Sequence, residues 1–96
     1  MISQSLAQEV GEFGITANAI LPGDIDTSMK QWGMMLESAV TGQTQEDVVS
    51  ALVSRIPMGR LGLPADVAEL VAFLASEAAA FISGQAYNLT GGRELA

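Results

Sequence analysis

At 96 residues, 49% of them apolar and only 16% charged, the chain has room for one small domain and is rich in residues that a core would absorb. Four Lys and Arg stand against eleven Asp and Glu, a formal net charge of −7 with no basic run, which excludes a phosphate-gripping surface for nucleic acid. Cys and His are both absent, so disulfides and thiolate or imidazole metal ligation are excluded, and acid–base chemistry near neutral pH is left to perturbed carboxylates, Lys or Tyr.

Charges interrupt the apolar stretches well short of the ~20 residues that span a bilayer. The opening MISQSLAQEV lacks the basic start and apolar middle of a secretory signal. The expectation is a cytoplasmic protein without membrane association.

Ile2, Leu6 and Val10 recur at four-residue spacing among polar neighbours, which predicts an amphipathic helix over Ile2–Val10. Gly11 or Gly14 can supply its left-handed end. The chain opens almost inside this helix, with no lead-in and no N-cap, as a truncated longer element would. ITANAIL, residues 15–21, is short, rich in β-branched residues and bounded by Gly14 and Pro22-Gly23, which predicts a buried strand. LPGDIDTSM comes next as a loop hanging from that strand's carboxyl end. Residues 29–44, with Trp32 and three of the five methionines, read as an irregular segment. Thr44 and Asp47 form a capping pair for a short helix over 45–54, ended by Pro57. Pro64 suits the first position of a further helix, Asp66 sits in its first turn, and Val67, Leu70, Val71 and Leu74 make its apolar stripe. Residues 85–89 form a second strand closed by Gly91-Gly92. Strand, helix-bearing connection and strand make a βαβ unit with parallel strands. Two parallel strands are a poor sheet alone, so the fold class is α/β: the C-terminal βαβ portion of a doubly wound parallel sheet, incomplete as a stand-alone fold.

The segments SLAQEVGEFGITANAILPGDIDTSM, RIPMGRLGLPADVAELVAFLAS and FISGQAYNLTGG together resemble the C-terminal part of the short-chain dehydrogenase/reductase family, over nearly the whole chain. Three landmarks fall in family order: Pro-Gly-x-Ile-x-Thr at 22–27, Pro-x-Asp-x-Ala at 64–68 and Ser-Gly-Gln at 83–85. The resemblance implies a Rossmann-like fold and NAD(P)-dependent oxidoreduction, with residues 1–96 forming the C-terminal part of one NAD(P)-binding domain. It implies that Pro22 and Gly23 shape the turn under a nicotinamide ring, that the Ile25 backbone meets the carboxamide, and that the Thr27 hydroxyl bonds it. The position suits a ligand, because open α/β sheets bind at the carboxyl ends of their strands. The competing reading is an ordinary turn, with Asp24 or Asp26 bonding nearby backbone and Thr27 capping the next segment.

Residues 29–54 correspond to the family's substrate lid, with Met29, Trp32, Met35 and Leu36 as the residues facing substrate; methionines suit a mobile apolar cover. The competing reading is a surface segment whose Trp32 and Leu36 merely cover the core. Glu37, Glu46 and Asp47 read as a solvated face, and Arg60 as a clamp on backbone carbonyls or a neighbouring carboxylate. Thr90 stands where the commonest family ending has Asp, which resembles the branch acting on polyols and sugar alcohols.

The family's glycine-rich cofactor motif has no match in this chain, nor have its catalytic Ser and Tyr-x-x-x-Lys, whose Lys the resemblance places a few residues before Met1. Tyr87 has no Lys four residues on, so no catalytic residue and no metal ligand is assigned. Whether the chain acts as an enzyme stays open, as does the choice between NAD and NADP. The first reading is a segment of an oxidoreductase for a polyol, sugar alcohol or small hydroxy-ketone, supplying nicotinamide contacts, lid and oligomer surface. The alternative is a non-catalytic module of the same ancestry that self-associates or binds a partner. A homo-oligomer is expected in either case, and pairing with a separately encoded N-terminal half is a third possibility.

Overall fold

The computed structural model describes residues 2–93. In chain order the elements are α1 (Ile2–Val10), β1 (Ala19–Pro22), α2 (Ser28–Thr41), α3 (Gln45–Val53), α4 (Pro64–Leu74) and β2 (Ala86–Leu89), with single 3₁₀ turns at Gly11–Phe13 and Glu77–Ala79. The described residues divide into two compact units: one holds residues 2–22 together with Ala65–Leu89, the other holds Gly23–Pro64 and residues 90–93.

In the first unit β1 and β2 pair in parallel as a two-stranded sheet, in a register running from Ala19 opposite Ala86 to Pro22 opposite Leu89. The expected α/β arrangement of two parallel strands with helices is therefore observed. The expected first strand, 15–21, is shorter and later. The Ile15 amide donates back to the Val10 carbonyl (3.4 Å), where it closes the end of α1 instead of joining a ladder. The chain then meets the segment before β2 largely through side chains: Ser83 Oγ accepts from the Ala17 amide at 3.0 Å, and the Asn18 amide group donates to Ile82 O and accepts from the Gln85 N–H, both at 3.1 Å. Backbone pairing takes over where the Ala19 amide donates to Gln85 O at 2.8 Å. Ser-Gly-Gln thus works as a hook, with Gly84 at φ +75° and its amide on Ala17 O at 2.7 Å. The second strand likewise begins one residue later than expected, at Ala86.

The left-handed end expected after α1 is at Gly14, φ +73°, whose N–H donates to Gly11 O at 3.0 Å. Of the α4 stripe, Val67, Leu70 and Leu74 are half-buried and Val71 is exposed. Among the described residues of this unit, Ala79 is the buried apolar one.

In the second unit, residues 29–44 are not irregular: α2 is a helix of 14 residues. Thr27 caps its start, with Oγ1 accepting from the Lys30 amide at 3.2 Å, and Gly42 in the left-handed region, φ +75°, ends it. Gly33 in its interior and β-branched Val40 and Thr41 in its last turn weaken the local helical signal, so the caps and packing against α3 decide its conformation. Thr44 caps α3 as expected, accepting from the Asp47 amide at 3.1 Å, and α3 ends at Val53. Among the described residues of this unit, Met34, Val48 and Ile56, each 4% exposed, are the buried apolar side chains. Among the described residues no helix is long and apolar enough to cross a membrane.

Candidate functional site

The loop after β1 owes its shape to one clasp. Gly62 forms an isolated parallel bridge with Ile25: its N–H donates to Asp24 O at 2.9 Å and its carbonyl accepts from the Asp26 amide at 2.7 Å. In a trans peptide the C=O and the following N–H point in opposite directions. With the Asp24 carbonyl and the Asp26 amide both turned toward Gly62, the N–H and C=O of Ile25 are turned the other way, side by side. Neither has a hydrogen-bond partner among the described residues, and Ile25 is half-buried. One donor and one acceptor aimed in one direction match a primary carboxamide, which offers one acceptor oxygen and a donor NH2 group.

The other residues expected at the site take their places around this pair. Pro22 is the last residue of β1, opposite Leu89. Gly23 gives the close approach: a Cβ there would lie 3.2 Å from Thr90 Cα and Cγ2. Thr27 performs the capping role, and because its oxygen accepts from Lys30, its hydroxyl proton is left to donate elsewhere. Capping and ligand binding, posed as alternatives from the sequence, are compatible at this side chain. The turn reading of the aspartates is corrected: their carboxylates bond side chains, Asp24 to Lys30 and Arg93, and Asp26 Oδ1 to Gln31 Nε2 at 2.7 Å.

On α2, Met29, Trp32 and Leu36 recur at i, i+3 and i+7 and are 84%, 63% and 57% exposed, with Met35 beside them at 48%. Met34 faces the other way and is buried. The helix therefore presents a continuous apolar face that Trp32 and Leu36 do not spend on covering a core. Arg60 reaches back with Nη1 to Leu61 O at 3.0 Å, the backbone clamp expected of it.

Residue typing missed a cluster. The carboxylate of Asp24, 14% exposed, receives Lys30 Nζ on one oxygen at 2.8 Å and Arg93 Nη1 on the other. The Lys30 hydrogen bond above all, with Arg93 adding to it against the cost of burial, holds this carboxyl below the ordinary aspartate value. The available signal was scarcity: with four cations in the chain, one six residues after Asp24 and one in the last turn are worth pairing with a half-buried acid.

A family model described as enoyl-(acyl carrier protein) reductase matches residues 1–94. The chain is 42% identical over 91 residues to a human (3R)-3-hydroxyacyl-CoA dehydrogenase, covering 95% of this chain and 31% of that protein. It is 41% identical over 91 residues to the 3-oxoacyl-[acyl-carrier-protein] reductase of Rickettsia felis, covering 95% and 33%. It thus spans about a third of the length of the curated relatives it matches. Among solved structures, a short chain dehydrogenase family protein from Francisella tularensis superposes with TM-score 0.90 at 26% identity, over 95% of this chain and 38% of that one. Sorbitol-6-phosphate 2-dehydrogenase from Erwinia amylovora gives TM-score 0.85 at 32% identity, over 99% and 38%. An actinorhodin polyketide ketoreductase determined with NADPH gives 0.84 at 34%, over 95% and 35%.

Proposed function

The chain belongs to the short-chain dehydrogenase/reductase family, and from that premise we propose that it forms the nicotinamide-facing and substrate-facing part of an NAD(P)-dependent reductase of 3-oxoacyl thioesters. The observation that carries the reading is the donor and acceptor of Ile25, turned together away from Gly62 and without a partner among the described residues. The Ile25 carbonyl and N–H and the Thr27 hydroxyl would hold the carboxamide of a bound nicotinamide, the carbonyl as acceptor and the N–H and hydroxyl as donors. Both residues are fixed before any ligand arrives, Ile25 by the Gly62 clasp and Thr27 by its cap on α2, so little ordering is required on binding. A bound cofactor would supply hydride chemistry at its nicotinamide ring; this loop would orient the ring's carboxamide and so the ring face offered to substrate.

The exposed apolar face of α2 favours an acyl chain over a polyol. Met29, Trp32, Met35 and Leu36 offer no hydrogen-bond partner to a row of hydroxyls beyond the indole N–H, whereas they can shield a hydrocarbon chain from water. Names of relatives support the same choice, since two of them act on hydroxyacyl-CoA and 3-oxoacyl substrates. The polyol reading suggested by Thr90 has the sorbitol-6-phosphate dehydrogenase in its favour; in this structure, however, Thr90 packs on Gly23. In the whole protein residues 1–96 are read as the C-terminal part of one Rossmann-like, cytoplasmic, oligomeric domain with residues 29–54 as lid, using NAD or NADP.

The test is a full-length reductase in which residues 1–96 replace the matching C-terminal part of the Rickettsia felis enzyme. Acetoacetyl-CoA and sorbitol 6-phosphate are assayed with each nicotinamide cofactor. The expected result is reduction of acetoacetyl-CoA, with Thr27→Val raising the cofactor KM and Trp32→Ala raising KM most for longer acyl chains. A folded chimera that oxidises the sugar phosphate and ignores the thioester overturns the substrate assignment.

A further inference from the structure

Two cations from different parts of the chain meet on one small carboxylate: Lys30 from the first turn of α2 and Arg93, 69 residues after Asp24. Surface ion pairs of this kind hold little energy when exposed, but here the carboxylate is largely covered and each of its oxygens takes its own charged donor. We propose that Asp24 is a positioning residue for nicotinamide binding, coupling the segment after β2 and the first turn of the lid helix to the orientation of the Ile25 peptide. The proposal rests on the nicotinamide reading given above.

The mechanical link is a single peptide plane. The Asp24 carbonyl and the Ile25 N–H belong to the same rigid unit, so any rotation that turns the Ile25 donor toward or away from a ligand also turns the Asp24 backbone. One side of that unit is held by Gly62, through its N–H on Asp24 O. The other restraint on residue 24 is its side chain, gripped at both oxygens, which fixes the Asp24 Cα and Cβ from which that peptide plane hangs. Lys30 is itself held at two points, its Nζ on Asp24 at 2.8 Å and its backbone N–H on Thr27 Oγ1 at 3.2 Å. The donor at Ile25 and the hydroxyl at Thr27 are therefore referenced to each other through Lys30. Arg93 adds a third anchor outside the loop, held near Thr90 by its own amide on Thr90 O at 3.3 Å.

The experiment uses the same full-length chimera with Asp24→Asn, Arg93→Gln, Arg93→Lys and the Asp24→Asn/Arg93→Gln double variant. Each is read by cofactor KM, kcat, and competition by 2′,5′-ADP or ADP, which carry only the adenosine half. Expected is a rise in cofactor KM on the order of tenfold for Asp24→Asn and Arg93→Gln, as for a small misplacement of a binding group. Competition by the adenosine fragments stays unchanged, the double variant is no worse than the worse single, and Arg93→Lys recovers most of the loss. Unchanged KM, or equal weakening of whole cofactor and adenosine fragment, overturns the positioning role. Thr27→Val separates the two levels: if it raises KM while the Asp24 and Arg93 variants do not, the brace alone fails; if it too leaves KM unchanged, the nicotinamide reading fails with it.

Discussion

Gly23 lies close against Thr90: a Cβ on Gly23 would lie 3.2 Å from Thr90 Cα and Cγ2 and 3.3 Å from its Cβ. Part of that obstruction is backbone, which cannot swing aside as a side-chain tip would. Gly23→Ala should therefore destabilise by about 1–3 kcal/mol, the usual range for overpacking. Thr90→Ser removes the Cγ2 methyl but leaves the main chain of residue 90 in the way, so it should relieve part of the penalty and no more. Chemical denaturation of the two single variants and the double variant checks this; an Ala variant as stable as the parent would show that the Thr90 segment is free to retreat.

Thr27 caps α2, the proposed function would also give its hydroxyl proton to a ligand, and substitutions separate the two tasks. Thr27→Val keeps the shape and removes the oxygen that accepts from Lys30, so α2 should lose about 0.5–2 kcal/mol. Thr27→Ser keeps the oxygen and should retain most of that stability. Amide exchange through the first turn of α2 is the readout. Equal protection in the Val and Ser variants would contradict the cap.

The parts of the fold carried by local chemistry were legible in the sequence. Pro64 does begin α4, Thr44 does cap α3, and Ile2–Val10 is a helix as its spacing predicts. The start of β1 was hidden because its partners are the side chains of Ser83 and Asn18, acting across separations of 66 and 67 residues. No local pattern encodes such a bond. The helix α2 was hidden for the converse reason: Gly33 argues against it locally, and the caps at Thr27 and Gly42 with packing on α3 overrule it. At the loop, Gly23, Ile25 and Thr27 stood out as a motif. What turns the Ile25 donor and acceptor outward is Gly62, a residue between two leucines that carries no signal of its own, and the Arg93 brace comes from the far end of the chain.

Asp24 makes the second unit sensitive to acid in a definite direction. Its folded-state value is depressed, with the Lys30 hydrogen bond as the largest cause, so the unfolded chain binds its proton more readily than the folded one. Stability from this group is therefore fully present above the ordinary aspartate value, about pH 4, and is lost as pH falls through the lower folded value. Asp24→Asn should remove that slope and cost about 1.5–3 kcal/mol at neutral pH, the range for hydrogen bonds to a charged group. Unfolding curves between about pH 2 and 7 decide the matter: a slope below about pH 4 that is the same in parent and variant would assign the acid sensitivity to another carboxylate.

Gly59 and Gly91 provide a matched pair for separating backbone strain from packing. Both adopt the left-handed region, at φ +75° and +64°. A Cβ at Gly59 would meet nothing within 4 Å, whereas one at Gly91 would lie 2.9 Å from Ile56 Cγ2, a side chain that is itself buried. Gly59→Ala should thus cost only the conformational penalty of about 1–2 kcal/mol. Gly91→Ala should cost that and a further ~1–3 kcal/mol for the clash, because the obstructing Ile56 methyl belongs to a buried side chain. Ile56→Ala in the Gly91→Ala background tests the cause, since removing the obstructing methyl must make the second substitution cheaper than it is in the parent. If the two glycine variants are equally destabilised, or if the double variant is simply additive, the approach of Gly91 to Ile56 is looser than the distance indicates.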